Sequence, residues 1–279
     1  YRLVEQAVKR HTGLPCFGYL TKRAKLELPS RQLGLVPAGE TADLVARVSE
    51  AAQAAAETVD LEGILAVAAK APALAQAPLP PLPRRKGCRL GVAMDEAFHF
   101  YYQADLDALR ASGMELVFFS PMRDNALPEG LDGLYIGGGY PEVYAQQLSS
   151  NAEMRRSVRR ALEGGLPCYA ECGGLMYLGQ ELDGQAMVGF LPCRSEMTDR
   201  LQRFGYVTVE DRTGLSFPAH EFHHARTEPL EGARFAYTVR KASRPEKSWE
   251  CGYEKGNTLA AFAHAYLADR PELMGRFFP

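Results

Sequence analysis

The sequence predicts an α/β fold on a mostly parallel central sheet with helices on both faces, and three observations predict it. Between residues 88 and 174, apolar strand-like runs alternate with helix-like segments. That order makes neighbouring strands parallel and covers the sheet with crossover helices. Two of the runs lead into glycines, at Gly137-Gly138-Gly139 and Gly173-Gly174, where open α/β sheets bind ligands beyond the C-terminal strand ends. Beyond Gln185 the long helices stop while strands continue, which predicts antiparallel strands added to one side.

Taken in order, Leu3, Val4, Ala7 and Val8 set a helical period over residues 1–12, and LPCFGYL (14–20) is an apolar run fit for a buried strand. Two Ala-rich helices are expected over 40–59 and 61–69. The run APALAQAPLPPLPRRKG (71–87) has no apolar period and is rich in proline, as a semi-extended linker is. It divides the chain into a domain at 1–70 and a second at 88–279. In the second, strands are expected at 89–95, 115–121, 133–139 and from 166, and helices at 98–112 and 151–163. Four later strands are expected in MVGFLP, FGYVTVE, RFAYTV and LAAFAH.

With 279 residues, 46% of them hydrophobic, the chain can fill two cores. A net charge of -2 gives no footprint for nucleic acid. No apolar run reaches the roughly 18–20 residues of a membrane helix, and the start, which is not Met, has no signal-peptide core. Six cysteines without a CxxC pair read as reduced thiols of a cytoplasmic protein.

Four features carry chemistry. In Ala170-Glu171-Cys172-Gly173-Gly174 an apolar strand becomes a helix at a cysteine. Such a turn needs small neighbours, aims the thiol outward and favours thiolate at the helix start; a buried cysteine beside a tight turn would look alike. Gly137-Gly138-Gly139-Tyr140-Pro141-Glu142 follows a strand, so its backbone N–H groups could converge on an oxyanion, though a plain turn serves equally. His220-Glu221-Phe222-His223-His224 matches the HExxH zinc signature. That chemistry needs a helix, and Pro218 and Pro229 with strand-like flanks predict an extended segment instead, a polar cluster supporting a site. His264 closes the apolar run 259–264 and gains weight as a base only if a nucleophile needs a partner.

These segments, with DEAFHFYY (95–102), FFSPMRDNALP (119–128), YAECGGLMYL (169–178) and AAFAHAYLA (260–268), together resemble the cobyrinic acid a,c-diamide synthase family. RQLGLVPAGE (31–40) is similar to the end of its ATP-using domain, itself like dethiobiotin synthetase. The resemblance implies a class I glutamine amidotransferase fold over 88–279, preceded by the tail of a P-loop synthetase domain. It implies ATP- and glutamine-dependent amidation, with Mg2+, of the a and c acetate side chains of cobyrinic or hydrogenobyrinic acid toward cobalamin. Nickel sirohydrochlorin or another tetrapyrrole is the alternative to this corrinoid substrate, and an HExxH zinc hydrolase the distant alternative. The resemblance allows a homodimer of the full-length enzyme.

It also implies Cys172 as nucleophile, His264 as its histidine, and Gly138, Gly139 and Gly173 as oxyanion and glutamine contacts. Glu171, His220, Glu221 and His223 are expected to support the site, with no metal. Two features depart from the pattern. Triad amidotransferases carry Glu two residues after the histidine, where this chain has Tyr266, so the partner of His264 stays open. No GxxxxGK[ST] loop occurs in the 279 residues, so the ATP site is expected to lie largely outside them.

Overall fold

A computed structural model describes residues 1–23, 26–31, 34–75, 81–85 and 87–278. The chain forms two compact units, Tyr1–Pro78 and Leu79–Pro279. Part of the proline-rich stretch expected to be the linker lies outside the described residues.

The first unit holds helix α1 (Arg2–Thr12), strands β1 (Ser30–Arg31) and β2 (Gly34–Leu35), and helices α2 (Leu44–Thr58) and α3 (Leu61–Ala68). The Asp60 carboxylate caps α3 by accepting the Gly63 N–H at 2.9 Å. The run 14–20 is not the expected strand; among its residues only Gly18 pairs, in a single bridge to Val59. An apolar run becomes a strand only against a partner edge, and here α2 and α3 stand where one would be needed. Ala54 is the unit's only buried hydrophobic residue among those described.

The second unit holds strands β3 (Arg89–Ala93), β4 (Glu115–Phe119), β5 (Gly133–Ile136) and β6 (Cys168–Glu171), with helices α4 (Gln103–Ala111), α5 (Ala145–Ser150), α6 (Ala152–Glu163) and α7 (Gly173–Leu178). There follow β7 (Glu181–Leu182), β8 (Gln185–Ala186), β9 (Cys193–Met197), β10 (Arg203–Asp211), β11 (Ser216–His223), β12 (Ala225–Pro229), β13 (Phe235–Lys241), β14 (Arg244–Lys255), β15 (Thr258–Ala261) and β16 (His264–Ala265), then helix α8 (Pro271–Phe277). One ten-stranded sheet runs β16-β11-β10-β13-β14-β15-β6-β5-β3-β4. From β15 to β4 the pairs are parallel, and from β15 to β16 they are antiparallel. The added antiparallel strands are thus as extensive as the parallel core.

The antiparallel half cannot be flat. Laid out at about 4.8 Å per strand, β15 and β16 would stand about 24 Å apart. Only Phe262 and Ala263 join them, a reach of roughly 10 Å. The strands therefore curl until β16 returns beside the start of the parallel half. The expected continuous strand 259–264 is for this reason two strands, broken where the chain crosses the curl.

Two other expectations change. Helix α4 starts at Gln103, not near Phe98, because the Asp95 carboxylate accepts the Ala97 and Phe98 N–H groups at 2.9 and 3.2 Å and holds a tight turn there. MVGFLP (187–192) is not a strand; β9 and β12 pair instead, in a separate sheet β12-β9-β7-β8. The core beneath the strand ends is aromatic, with Phe98, Tyr135, Tyr140, Tyr169 and Tyr177 all fully buried.

Candidate active site

At the end of β6 the chain must turn from strand to helix within one residue. Cys172 makes the turn with φ 48° and ψ −101°, a conformation costing a residue with a side chain about 1–3 kcal/mol. Its neighbours hold it there: the Cys172 N–H donates to the Ala261 carbonyl at 2.7 Å, and its own carbonyl accepts from Met176 at 3.3 Å. Gly174 is needed because a Cβ on it would lie 2.2 Å from the Ile136 carbonyl oxygen. Helix α7 thereby packs directly on the end of β5, and the Cys172 side chain is buried at the junction.

The curl of the antiparallel strands brings His264 to this point. His264 opens β16 and pairs with His220 of β11. Its Nδ1 lies 3.5 Å from Oε2 of Glu171, and the Cys172 thiol is near enough to act on the ring's titration. Burial alone would lower the imidazole's pKa. Hydrogen bonds to Cys172 and Glu171, and their charges, outweigh burial and hold it above the ordinary 6.5.

Glu171 is buried, and an isolated carboxylate there would cost several kcal/mol. It is satisfied instead. Oε2 accepts the Tyr135 hydroxyl at 3.0 Å; Oε1 accepts the Tyr169 hydroxyl at 2.7 Å and the Ala265 N–H at 3.0 Å. Phe277 of α8 stacks on Tyr169 with ring centroids 4.1 Å apart.

The glycine loop after β5 forms the facing wall. The Gly137 N–H donates to the Tyr101 hydroxyl at 2.8 Å. The Gly138 carbonyl accepts from His99 and Phe100 at 3.1 and 3.0 Å, and the Tyr140 N–H donates to Ala97 at 3.0 Å. Thus pinned, the loop sets Gly138 against His264 and the Gly139 nitrogen 3.2 Å from where a Cβ of Gly173 would stand.

The structure therefore brings together Cys172, His264, Glu171, Gly138, Gly139 and Gly173. It divides the HEFHH segment. The segment is extended, with His220 to His223 in β11 and His224 just past its end, so it does not form the helical turn that HExxH needs. His220 lies on the His264 side, its ring edge-on to Tyr206 at 5.4 Å. Glu221 and His223 point the other way, into the curl, beside a cavity of about 180 Å3 that Arg203, Trp249, Cys251 and Phe262 also line. Burial raises Glu221 to about 7 against the pull of Arg203. Burial lowers His223 to about 4, and the ring stacks on Phe262 at 3.8 Å. Among the described residues no cluster of three or more His, Cys, Asp or Glu could hold a metal ion.

Sequence reasoning passed over Tyr135, Tyr169 and Tyr101, which hold Glu171 and the glycine loop. It also passed over Asp105 of α4, whose Oδ1 accepts the Leu267 and Ala268 N–H groups at 2.9 Å each, just after β16. The one available signal was a pair of tyrosines within apolar strands, one of them two residues before Glu171 and so on its face.

A cysteine at a strand-to-helix elbow, a histidine returned by a curled sheet and a glycine wall, on this α/β frame, define a glutamine amidotransferase. The chain belongs to the CobB/CobQ-like glutamine amidotransferase domain family, whose model matches residues 89–272. It is similar to the cobyrinate a,c-diamide synthase of Listeria innocua, at 40% identity over 290 residues covering 100% of this chain and 64% of that protein. The enzyme of the same name from Caldanaerobacter subterraneus is 40% identical over 99% of this chain and 63% of its own length. That from Methanothermobacter thermautotrophicus is 37% identical over 99% and 64%. The chain thus spans just under two thirds of these curated relatives. A crystal structure of a glutamine amidotransferase shares the fold, with a TM-score of 0.51 at 23% identity over 67% of this chain and 96% of that one.

Proposed function

We propose that residues 88–279 hydrolyse glutamine through a Cys172 thioester, and that the ammonia serves an ATP-dependent amidation of cobyrinic acid's a and c acetate groups. His264 Nε2 takes the thiol proton and the sulfur attacks the carboxamide carbon. The oxyanion so formed rests against the N–H groups of Gly138, Gly139 and Gly173. Collapse expels ammonia, which takes its proton from His264. Water then adds to the thioester, its proton passing to His264, and glutamate leaves as the thiol is restored. His220 flanks the cleft beside His264, while Glu221 and His223 support β11 from within the curl. The observation that carries this reading is the Cys172 elbow with His264 anchored beside it.

The substrate rests on the relatives' names. In this reading residues 1–70 are the end of the ATP-binding domain. The sequence holds no GxxxxGK[ST] loop, so in this reading ATP and Mg2+ are held by residues outside this sequence, and no step runs through them. In this reading the protein works in the cytoplasm, and the resemblance allows a homodimer of the full-length enzyme. No helix among the described residues is long and apolar enough to cross a membrane. The test supplies the full-length protein with glutamine, ATP, Mg2+ and, separately, cobyrinic acid, hydrogenobyrinic acid and nickel sirohydrochlorin. Diamide from cobyrinic acid, abolished by Cys172→Ala with glutamine but retained with ammonium salts, is expected. Equal loss with both nitrogen sources would contradict it.

A further inference from the structure

Tyr266 occupies the place, two residues after the histidine, where triad amidotransferases hold an acid. Its side chain cannot serve: the residue is 43% exposed and its ring packs edge-on against Tyr102 at 5.5 Å. The carboxylate beside His264 comes instead from the residue before the nucleophile. We propose that Glu171 is the positioning residue of this site, an acid supplied from the nucleophile strand that orients His264 through Nδ1. The proposal rests on the Cys172–His264 reading above.

Glu171 is attached to both reacting side chains through the backbone. It immediately precedes Cys172, and its Oε1 accepts the N–H of Ala265, the residue after His264, at 3.0 Å. One carboxylate therefore sets the spacing between β6, which carries the thiol, and β16, which carries the ring. Tyr135 and Tyr169 keep it from turning away. Burial pushes both phenols well above their ordinary range, so they remain donors. With Oε2 3.5 Å from Nδ1, the ring is held with a proton on Nδ1 and with Nε2 directed at the thiol. Glu171 exchanges no proton itself. It stabilises the imidazolium formed when Nε2 takes the Cys172 proton, and that proton leaves on ammonia. A purely structural clamp between two strands would need the hydrogen bonds to Ala265 and the tyrosines but no charge beside Nδ1, so its loss would appear in stability and not in kcat together with the titration of His264.

The test compares Glu171→Gln with the unaltered chain in two measurements. Glutamine hydrolysis gives kcat and KM, and the substrate-free imidazole of His264 is titrated by NMR. The expected result is a kcat lower by about 10²–10⁴-fold with KM within a few-fold of the unaltered value. The His264 midpoint should move down by about a pH unit or more, since the carboxylate raises it. Glu171→Asp, which keeps the charge on a shorter arm, should recover about tenfold or more of the lost kcat, and it carries both measurements if Glu171→Gln does not fold. A His264 midpoint unchanged in these variants, or a loss confined to KM or thermal stability, overturns the proposal. Because that midpoint is read without turnover, it separates the two readings. Loss of hydrolysis in Cys172→Ala alongside an unmoved midpoint sinks the role of Glu171 alone, whereas hydrolysis surviving Cys172→Ala sinks both.

Discussion

A methyl group placed on Gly138 would stand 2.7 Å from Cε1 of His264. The glycine loop and the histidine are thus in direct contact, and one of them must yield if a side chain is added. The loop is pinned by Tyr101, His99 and Phe100 through backbone hydrogen bonds, so the ring moves first. Gly138→Ala is expected to slow glutamine hydrolysis by about 10²-fold, the scale of an ångström's misplacement in a catalytic geometry, while circular dichroism and thermal midpoint stay near those of the parent. An Ala variant at full rate would show that the loop does not border the reacting groups.

Asp105 holds the segment that follows His264. Its Oδ1 accepts two backbone N–H groups, from Leu267 and Ala268, in a buried setting that raises its pKa to about 7. Asp105→Ala leaves both donors without that acceptor and should cost roughly 2–3 kcal/mol in a denaturant titration, with slower hydrolysis as β16 loosens. Asp105→Asn keeps an acceptor of the same shape and should cost less than half as much. Asp107, exposed and paired with Arg110 at 3.1 Å, is the control; its alanine variant should change stability by under about 0.5 kcal/mol. Equal losses at 105 and 107 would refute the anchoring role.

Glu221 and His223 make opposite contributions to stability as pH changes. Burial raises Glu221 from 4.5 to about 7, so between those values the folded chain keeps a proton that the unfolded chain has lost. Its contribution is complete below about pH 4.5 and is lost as pH rises to about 7. At about 1.4 kcal/mol per unit this is on the order of 3 kcal/mol. His223, lowered to about 4, acts the other way: its contribution is present above 6.5 and lost as pH falls toward 4. Glu221→Gln removes the first and keeps the second. Relative to the parent, it should gain about 2–3 kcal/mol on going from pH 5 to pH 8 in urea titrations. The same difference from the parent at both pH values would contradict the assignment.

The parallel half of the fold and the place of Cys172 were legible because both rest on local pattern. Strand–helix alternation needs only neighbouring residues to be read, and Ala170-Glu171-Cys172-Gly173-Gly174 announces an elbow by its small residues. His264 was legible as a residue but not as a position. The apolar run 259–264 predicts one strand closing on it, whereas the chain breaks at Phe262 and Ala263 so that β16 can pair with β11. That break follows from closing a curl over six strands, which no window of sequence contains. The partner of His264 was hidden for a related reason: Glu171 is 93 positions away in the chain, and its two tyrosines look like ordinary strand residues. HEFHH, by contrast, was correctly read as extended, because Pro218 and the flanking alternation are local. The strand expected over 187–192 failed because an apolar run specifies burial without specifying a partner edge.

The central claim, that Cys172 is the nucleophile of a glutamine site, is tested most directly by treating the chain with a glutamine-like electrophile such as diazo-oxo-norleucine and mapping the adduct by mass spectrometry. Burial pushes the other three buried thiols up, Cys193 to about 12, Cys251 to about 11 and Cys168 well above its ordinary value, so they should remain protonated and slow. Cys172 should carry nearly all of the adduct. Labelling should be suppressed by glutamine and slowed about tenfold or more by His264→Ala. An adduct found mainly on another cysteine, or labelling of Cys172 that glutamine does not slow, would contradict the assignment.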